Sequence, residues 1–143
     1  MSGLEAVLDG LRAPGVHRLN PSYDVGGLRP TVEQAGWRWA HLDGWTRETR
    51  VEVLDGLGEA LGFPPHYGRN LDALADCLDD LSDPTVLVWE GWGAFALTDE
   101  ATFAVVLEIL RSRAGRRAAA AFSVLLTGAG PDLDLDLPEL DQL

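Results

Sequence analysis

The chain has 143 residues, 46% of them apolar, with five tryptophans and a formal net charge of −12. That size and apolar content predict one globular domain with a real core, and the charge disfavours nucleic acids and anionic membranes as partners while favouring a basic protein or a cation. No apolar run approaches the ~18 residues of a membrane-spanning helix; the N-terminus lacks the basic start and apolar stretch of a secretory signal, and a lone Cys77 excludes an internal disulfide framework, so a cytoplasmic protein is expected.

In chain order, Leu4, Val7, Leu8 and Leu11 predict a short first helix, ended by Ala13-Pro14-Gly15. Val16 to Leu19 has the make-up of a brief strand, and Asn20 to Gly27 is rich in turn residues. A short helix is expected over Pro30 to Ala35, with the proline at its first turn. Trp37 to Leu42 reads as an aromatic-rich strand closed by the turn Asp43-Gly44. Thr49 and Glu52 have capping-box spacing, and Val51, Leu54, Leu57 and Leu61 form a helical stripe that Gly62 and Pro64-Pro65 stop. Asn70 is a good N-cap for the next helix, whose stripe is Leu71, Leu74, Leu78 and Leu81. After Pro84, Thr85 to Glu90 is a continuous apolar run suited to a strand covered on both faces. Thr98, Asp99 and Glu100 open a helix with Phe103, Val106, Leu107 and Leu110 on one side, and Gly115 ends it. Ala118 to Thr127 contains a third main strand, near 120–126. Strand, helices, strand, helix, strand predicts an α/β domain with a small three-stranded parallel sheet and helices packed on it. The Leu/Asp alternation after Gly128 fits either an edge strand or an acidic tail. Residues 1–35 are assigned as an N-terminal extension packed on the domain, 36–128 as the domain, and 129–143 as the tail.

Charge is segregated along the chain. Lysine is absent, and no arginine falls between Asn70 and Leu110, a stretch that holds Asp72, Asp76, Asp79, Asp80, Asp83, Glu90, Asp99, Glu100 and Glu108. Arginines cluster from Arg111 to Arg117 and in the first half. Four aspartates on one short helix, with no basic residue among them, repel one another, and aspartate is itself a mediocre helix former. Only Asp72, in the first turn, is favoured by the helix dipole. Such a face suits a Mg²⁺ ion, an acid/base pair or a cationic cleft on another protein. A metal needs carboxylates converging from a second element, for which Glu90 and Asp99 are candidates. A solvated helix face is the structural alternative. His17, His41 and His66 lack metal-ligand spacing, neither a Walker loop nor G-x-G-x-x-G is present, and Cys77 between Asp76 and Leu78 reads as a buried thiol with a raised pKa rather than a nucleophile. No cofactor and no bound metal are expected.

The string FPPHYGRNLDALADCLDDL, Phe63 to Leu81, closely resembles the signature of the barstar family, intracellular inhibitors of the ribonuclease barnase. AHLDGWTRETRVEVLDGLGEALGF is similar to that family's first strand and helix, PTVLVWEGWGAF to its second strand and the short helix after it, and FAVVLEILRSRAG with FSVLLTG to its last helix and strand. The resemblance runs from Trp37 to Gly128. It implies a small parallel sheet flanked by helices, with the aspartate helix and its preceding loop entering the active site of a secreted ribonuclease. It implies that Asp76 takes the substrate-phosphate position, with Asp72, Asn70 and Gly68 as neighbouring contacts. Departures from the family pattern are His66 in place of an interface tyrosine, Ala75 and Leu81 in place of tryptophans, and Ser112 in place of an interface glutamate. They imply the same binding mode with a different cognate enzyme.

The expected function is therefore inhibition of a basic extracellular ribonuclease or related nuclease toxin by a non-enzymatic protein, monomeric when free. Its partner-binding residues are expected to be His66, Tyr67, Gly68, Asn70, Asp72, Ala75, Asp76, Asp79 and Asp80. The alternatives are an antitoxin for a different basic toxin and a metal-dependent enzyme using Asp72 and Asp76.

Overall fold

The computed structural model describes residues 3–19, 25–116, 119–131 and 138–140. In chain order the elements are α1 (Gly3–Leu8), β1 (Val16–Leu19), α2 (Val25–Gln34), β2 (Arg38–Asp43), α3 (Arg50–Leu61), α4 (Leu71–Asp79), β3 (Thr85–Glu90), α5 (Gly93–Thr98), α6 (Glu100–Ala114), β4 (Phe122–Thr127) and β5 (Glu139–Leu140). All five strands pair in parallel in one sheet of order β2-β3-β4-β1-β5. The three expected main strands are present. The sheet is wider than three strands because β1 pairs with β4, Val16 opposite Val124, and two residues of the C-terminal stretch add β5 beside β1. Most of the expected acidic tail, residues 132–137 and 141–143, lies outside the described residues.

The connections divide the helices between two faces. β2, β3 and β4 follow one another across the sheet, whereas the chain returns from β1 to the far edge to begin β2. Right-handed crossovers in opposite directions place their helices on opposite faces. The core divides accordingly. Leu87 and Trp89 of β3 and Phe122, Val124 and Leu126 of β4 pack against α3 to α6, while Val86, Val88 and Leu125 pack against α1 and α2. Burial on both faces explains why β3 and β4 lack polar alternation.

The local signals act largely as expected. Thr49 and Glu52 form a reciprocal capping box on α3, and Gly62 closes that helix in the left-handed region at φ 68°. Asn70 caps α4, accepting from the Ala73 N–H at 2.8 Å. Asp99 caps α6, accepting from the Thr102 N–H, and the Thr102 side chain first and its N–H second hold the carboxyl below the usual range. The exception is α2, which starts five residues before Pro30. Pro30 is an exposed interior residue, and the buried pair Leu28 and Val32, four apart, anchors the helix across it. Packing there outweighs the preference of proline for the first turn.

His17 sits in β1 between β4 and β5, 5% exposed, and its Nδ1 has no hydrogen-bond partner among the described residues. Burial, reinforced by the Arg12 charge, lowers its pKa from the ordinary 6.5. Below that value the unfolded chain takes up a proton that the folded site resists, so stability is full above 6.5 and falls as the solution is acidified. The melting temperature is expected to drop between about pH 7.5 and about pH 5.5, a window above the titration of carboxylates, and to drop less in His17→Phe. Equal slopes for the two proteins would contradict this assignment.

Candidate protein-binding face

α4 presents its two sides very differently. Leu74, Cys77 and Leu78 are buried, with Leu74 and Leu78 in the main core, while Asp72, Asp76, Asp79 and Asp80 are exposed. At about 100° per residue, positions 72, 76 and 80 form one row, and positions 75 and 79 lie on the flank. That flank faces α6, since Ala75 and Asp79 share a groove with Glu108 and Ser112. Asp72, Asp76 and Asp80 make no ion pair among the described residues, whereas Asp79 is bound by Arg116. Of the four aspartates expected on the binding face, Asp72, Asp76 and Asp80 thus form the row, and Asp79 on the flank is paired with Arg116.

The last turn of α6 makes the acidic helix tenable. Arg113 is 2% exposed and donates from Nε to the Leu78 carbonyl at 2.8 Å, at the end of α4 where carbonyls lack intrahelical partners. Its guanidinium lies over the Phe122 ring. A cation there opposes the negative end of the α4 dipole, which Asp79 and Asp80 otherwise aggravate. Burial lowers the Arg113 pKa, with Arg116 acting in the same direction and Asp79 against it. The Asp79–Arg116 pair is itself half exposed, with relative exposures of 52% and 48%. Asp79→Asn is expected to lower stability by no more than about 1 kcal/mol, measured by urea unfolding.

The loop before α4 is pinned to α3. Tyr67, expected on the binding face, is instead buried. Its hydroxyl donates to the Leu54 carbonyl at 2.9 Å, and its ring meets Phe63 edge-on at 4.9 Å between centroids. Burial pushes its pKa up to about 12. A side chain at Gly58 would stand 2.7 Å from that ring, so the glycine allows α3 and the loop to approach. Arg69 adopts φ 52° and pairs with Asp55 of α3 at 2.8 Å, which draws the nearest cation away from the α4 row. His66, Gly68 and Asn70 remain exposed on the outer side of the loop. Leu81, counted in the helical stripe, lies beyond the end of α4 and packs half-buried against the core.

Other chemistries find little support in the geometry. No three His, Cys, Asp or Glu side chains among the described residues are grouped to hold a metal ion. Glu90, a candidate fellow ligand, is engaged by His41 at 2.9 Å, and Asp99 is engaged as the α6 cap. Cys77 is buried, and its thiol pKa is raised by burial first and by Asp80 and Asp76 second, away from the reactive thiolate. No helix among the described residues is long and apolar enough to cross a membrane. The buried Tyr67 and the inward-turned Arg113 were not readable in advance. A tyrosine in a loop and an arginine in a basic cluster both look like surface residues, and the glycine at position 58 was the one trace of the first.

Comparison with known proteins agrees with this geometry. YrdF of Bacillus subtilis (strain 168), described as "Putative ribonuclease inhibitor YrdF", is 58% identical over 40 residues, which cover 27% of this chain and 44% of YrdF. The chain thus matches less than half the length of that relative. Two solved structures share the fold at low identity. The ORC2 protein of Aeropyrum pernix aligns with TM-score 0.61 and 14% identity over 89% of this chain and 38% of its own. Cdc6p of Pyrobaculum aerophilum aligns with TM-score 0.62 and 19% identity over 94% of this chain and 39% of its own. At such identities the likeness is one of fold alone. The model of the Barstar (barnase inhibitor) family matches residues 37–127, a span that contains α3, the pinned loop, the whole of α4 and the arginines that hold it. This chain belongs to the barstar family.

Proposed function

We propose that the chain inhibits a basic ribonuclease by inserting α4 and the loop before it into the enzyme's active site. The observation that carries the reading is the row of Asp72, Asp76 and Asp80. These carboxylates are exposed, make no ion pair among the described residues, and stand on a helix whose opposite side is fixed in the core. A rigid line of carboxylates replaces the phosphates of a bound RNA and is drawn to a basic cleft at long range. Asp76, central in the row, takes the position of a substrate phosphate, and Asp72 and Asp80 flank it. His66, Gly68 and Asn70 form the loop side of the contact, and Ala75 and Asp79 the side toward α6. Tyr67 acts from beneath, by fixing the loop. Residues 36–128 form the inhibitory module. Residues 1–35 add β1 to its sheet, and Glu139–Leu140, within the acidic stretch 129–143, add β5 beside it. An inhibitor of this kind acts in the cytoplasm of the cell that makes the enzyme, and it works by binding, without catalysis or cofactor.

The test is a titration of RNA cleavage by barnase and by a panel of basic ribonucleases related to it. Full loss of one enzyme's activity at one inhibitor per enzyme, weakening as salt is added, is the expected result. Failure to inhibit any member, or loss of activity only when the inhibitor binds the RNA, would overturn the reading.

A further inference from the structure

Beside the acidic row lies a groove of about 720 Å³ between α4 and α6. Its walls are Ala75 and Leu78 on one side and Ala104, Val105 and Ile109 on the other, and Val105 is 45% exposed. We propose that this groove receives an aromatic side chain of the basic partner, one that stands next to that partner's cationic cleft. The proposal rests on the reading of the α4 row as the inhibitory face and adds a specificity site to it.

Three observations select this occupant. The groove is continuous with the row, because Ala75 immediately precedes Asp76 on the same helix; a surface that reaches Asp76 covers the near wall. The rim of the groove is itself balanced, Asp79 pairing with Arg116 and Glu108 with Arg111 at 3.8 Å, so the net charge at its mouth is that of the neighbouring Asp76 and Asp80. A second copy of this chain, at net charge −12, would bring like charge against it, whereas a basic partner meets complementary charge. The groove also owes its depth to a small residue, alanine, at position 75. A flat ring covers more of these apolar walls than a short aliphatic chain does.

The probes are two capped tripeptide amides, Arg-Trp-Arg and Arg-Ala-Arg, titrated into the full chain at low salt by calorimetry. The tryptophan peptide is expected to bind about tenfold more tightly, the gain of partly burying one ring. Ala75→Trp, which fills the groove, should erase that gain, so that the two peptides bind with the same affinity. Val105→Ser, at an exposed position where folding is not at stake, should reduce the gain severalfold. Asp76→Ala should weaken both peptides equally. Equal affinity for the two peptides, or a gain that survives both groove variants, would overturn the groove assignment while leaving the acidic row untouched. If Asp76→Ala alters neither peptide, it is the inhibitory-face reading that fails. A dimer that Ala75→Trp abolishes would assign the groove to a second copy and overturn the proposal.

Discussion

Asp76→Ala is expected to weaken binding to the cognate ribonuclease more than any other single truncation on this surface, with the change in the off-rate. Asp76 lies one turn after Asp72 and one before Asp80, so it is the carboxylate most completely covered when a cleft closes over the row. In the proposed complex, charge-assisted hydrogen bonds from the enzyme's cations would hold it. Its removal leaves those cations buried and unpaired. The general cost of that, a range in which barnase–barstar pairs themselves figure, is about 2–5 kcal/mol or more. Asp80→Ala, at the end of the row, should act mainly on the on-rate and its salt dependence, and less strongly. Asp79→Ala should change association least, because Arg116 already neutralises that carboxylate. Folding should survive Asp76→Ala, since the side chain is exposed and its loss relieves like-charge repulsion along α4. Stopped-flow association with dissociation by competition, alongside thermal melts, measures all of this. Equal small losses for Asp76→Ala and Asp80→Ala would mark the row as ordinary solvated surface.

Phe103→Ala is expected to be the most damaging core substitution, at about 3–5 kcal/mol. Phe103 is fully buried near the start of α6, and its ring meets Trp89 at 5.7 Å, Trp92 at 5.5 Å and Phe95 at 6.2 Å between centroids. Those three rings come from β3, the turn after it and α5, so Phe103 is the piece that joins them to α6. A cavity at that point cannot collapse easily, because each neighbour is itself held in the main core. α6 supplies Arg113 to the end of α4, and Arg116 follows just past its Gly115 cap, so loosening its packing reaches α4. Urea unfolding monitored by tryptophan fluorescence gives the loss directly. A change below about 1 kcal/mol would mean that the cluster repacks around the gap.

The parts of this structure that were legible in the sequence are those governed by local chemistry. The capping box at Thr49 and Glu52, the Asn70 and Asp99 caps and the Gly62 stop need only neighbouring residues, and each acts as its residue type suggests. The apolar runs at Thr85–Glu90 and Phe122–Thr127 showed a sheet covered on both faces. The full width of that sheet was hidden. β1 is four residues long and β5 is two, and their places depend on pairing with partners more than a hundred residues away or with each other. Long-range pairing leaves no periodic trace in so short a segment. At the site, spacing gave the aspartate row, but it could not distinguish Asp79 from Asp80. That difference comes from Arg116, brought over by the packing of α6 on α4. The burial of Tyr67 was hidden likewise, because it depends on a glycine of α3 standing where the ring needs room.

The most direct measurement takes culture medium of the producing organism, passes it over the immobilised chain and over its Asp76→Ala variant, and assays cleavage of a fluorescent RNA before and after. Depletion of ribonuclease activity by the original chain but not by the variant, with recovery of a basic ribonuclease on elution in high salt, is the predicted result. Equal depletion by both columns, or retention only of proteins that do not cleave RNA, would contradict the claim that this acidic helix is a ribonuclease-blocking face.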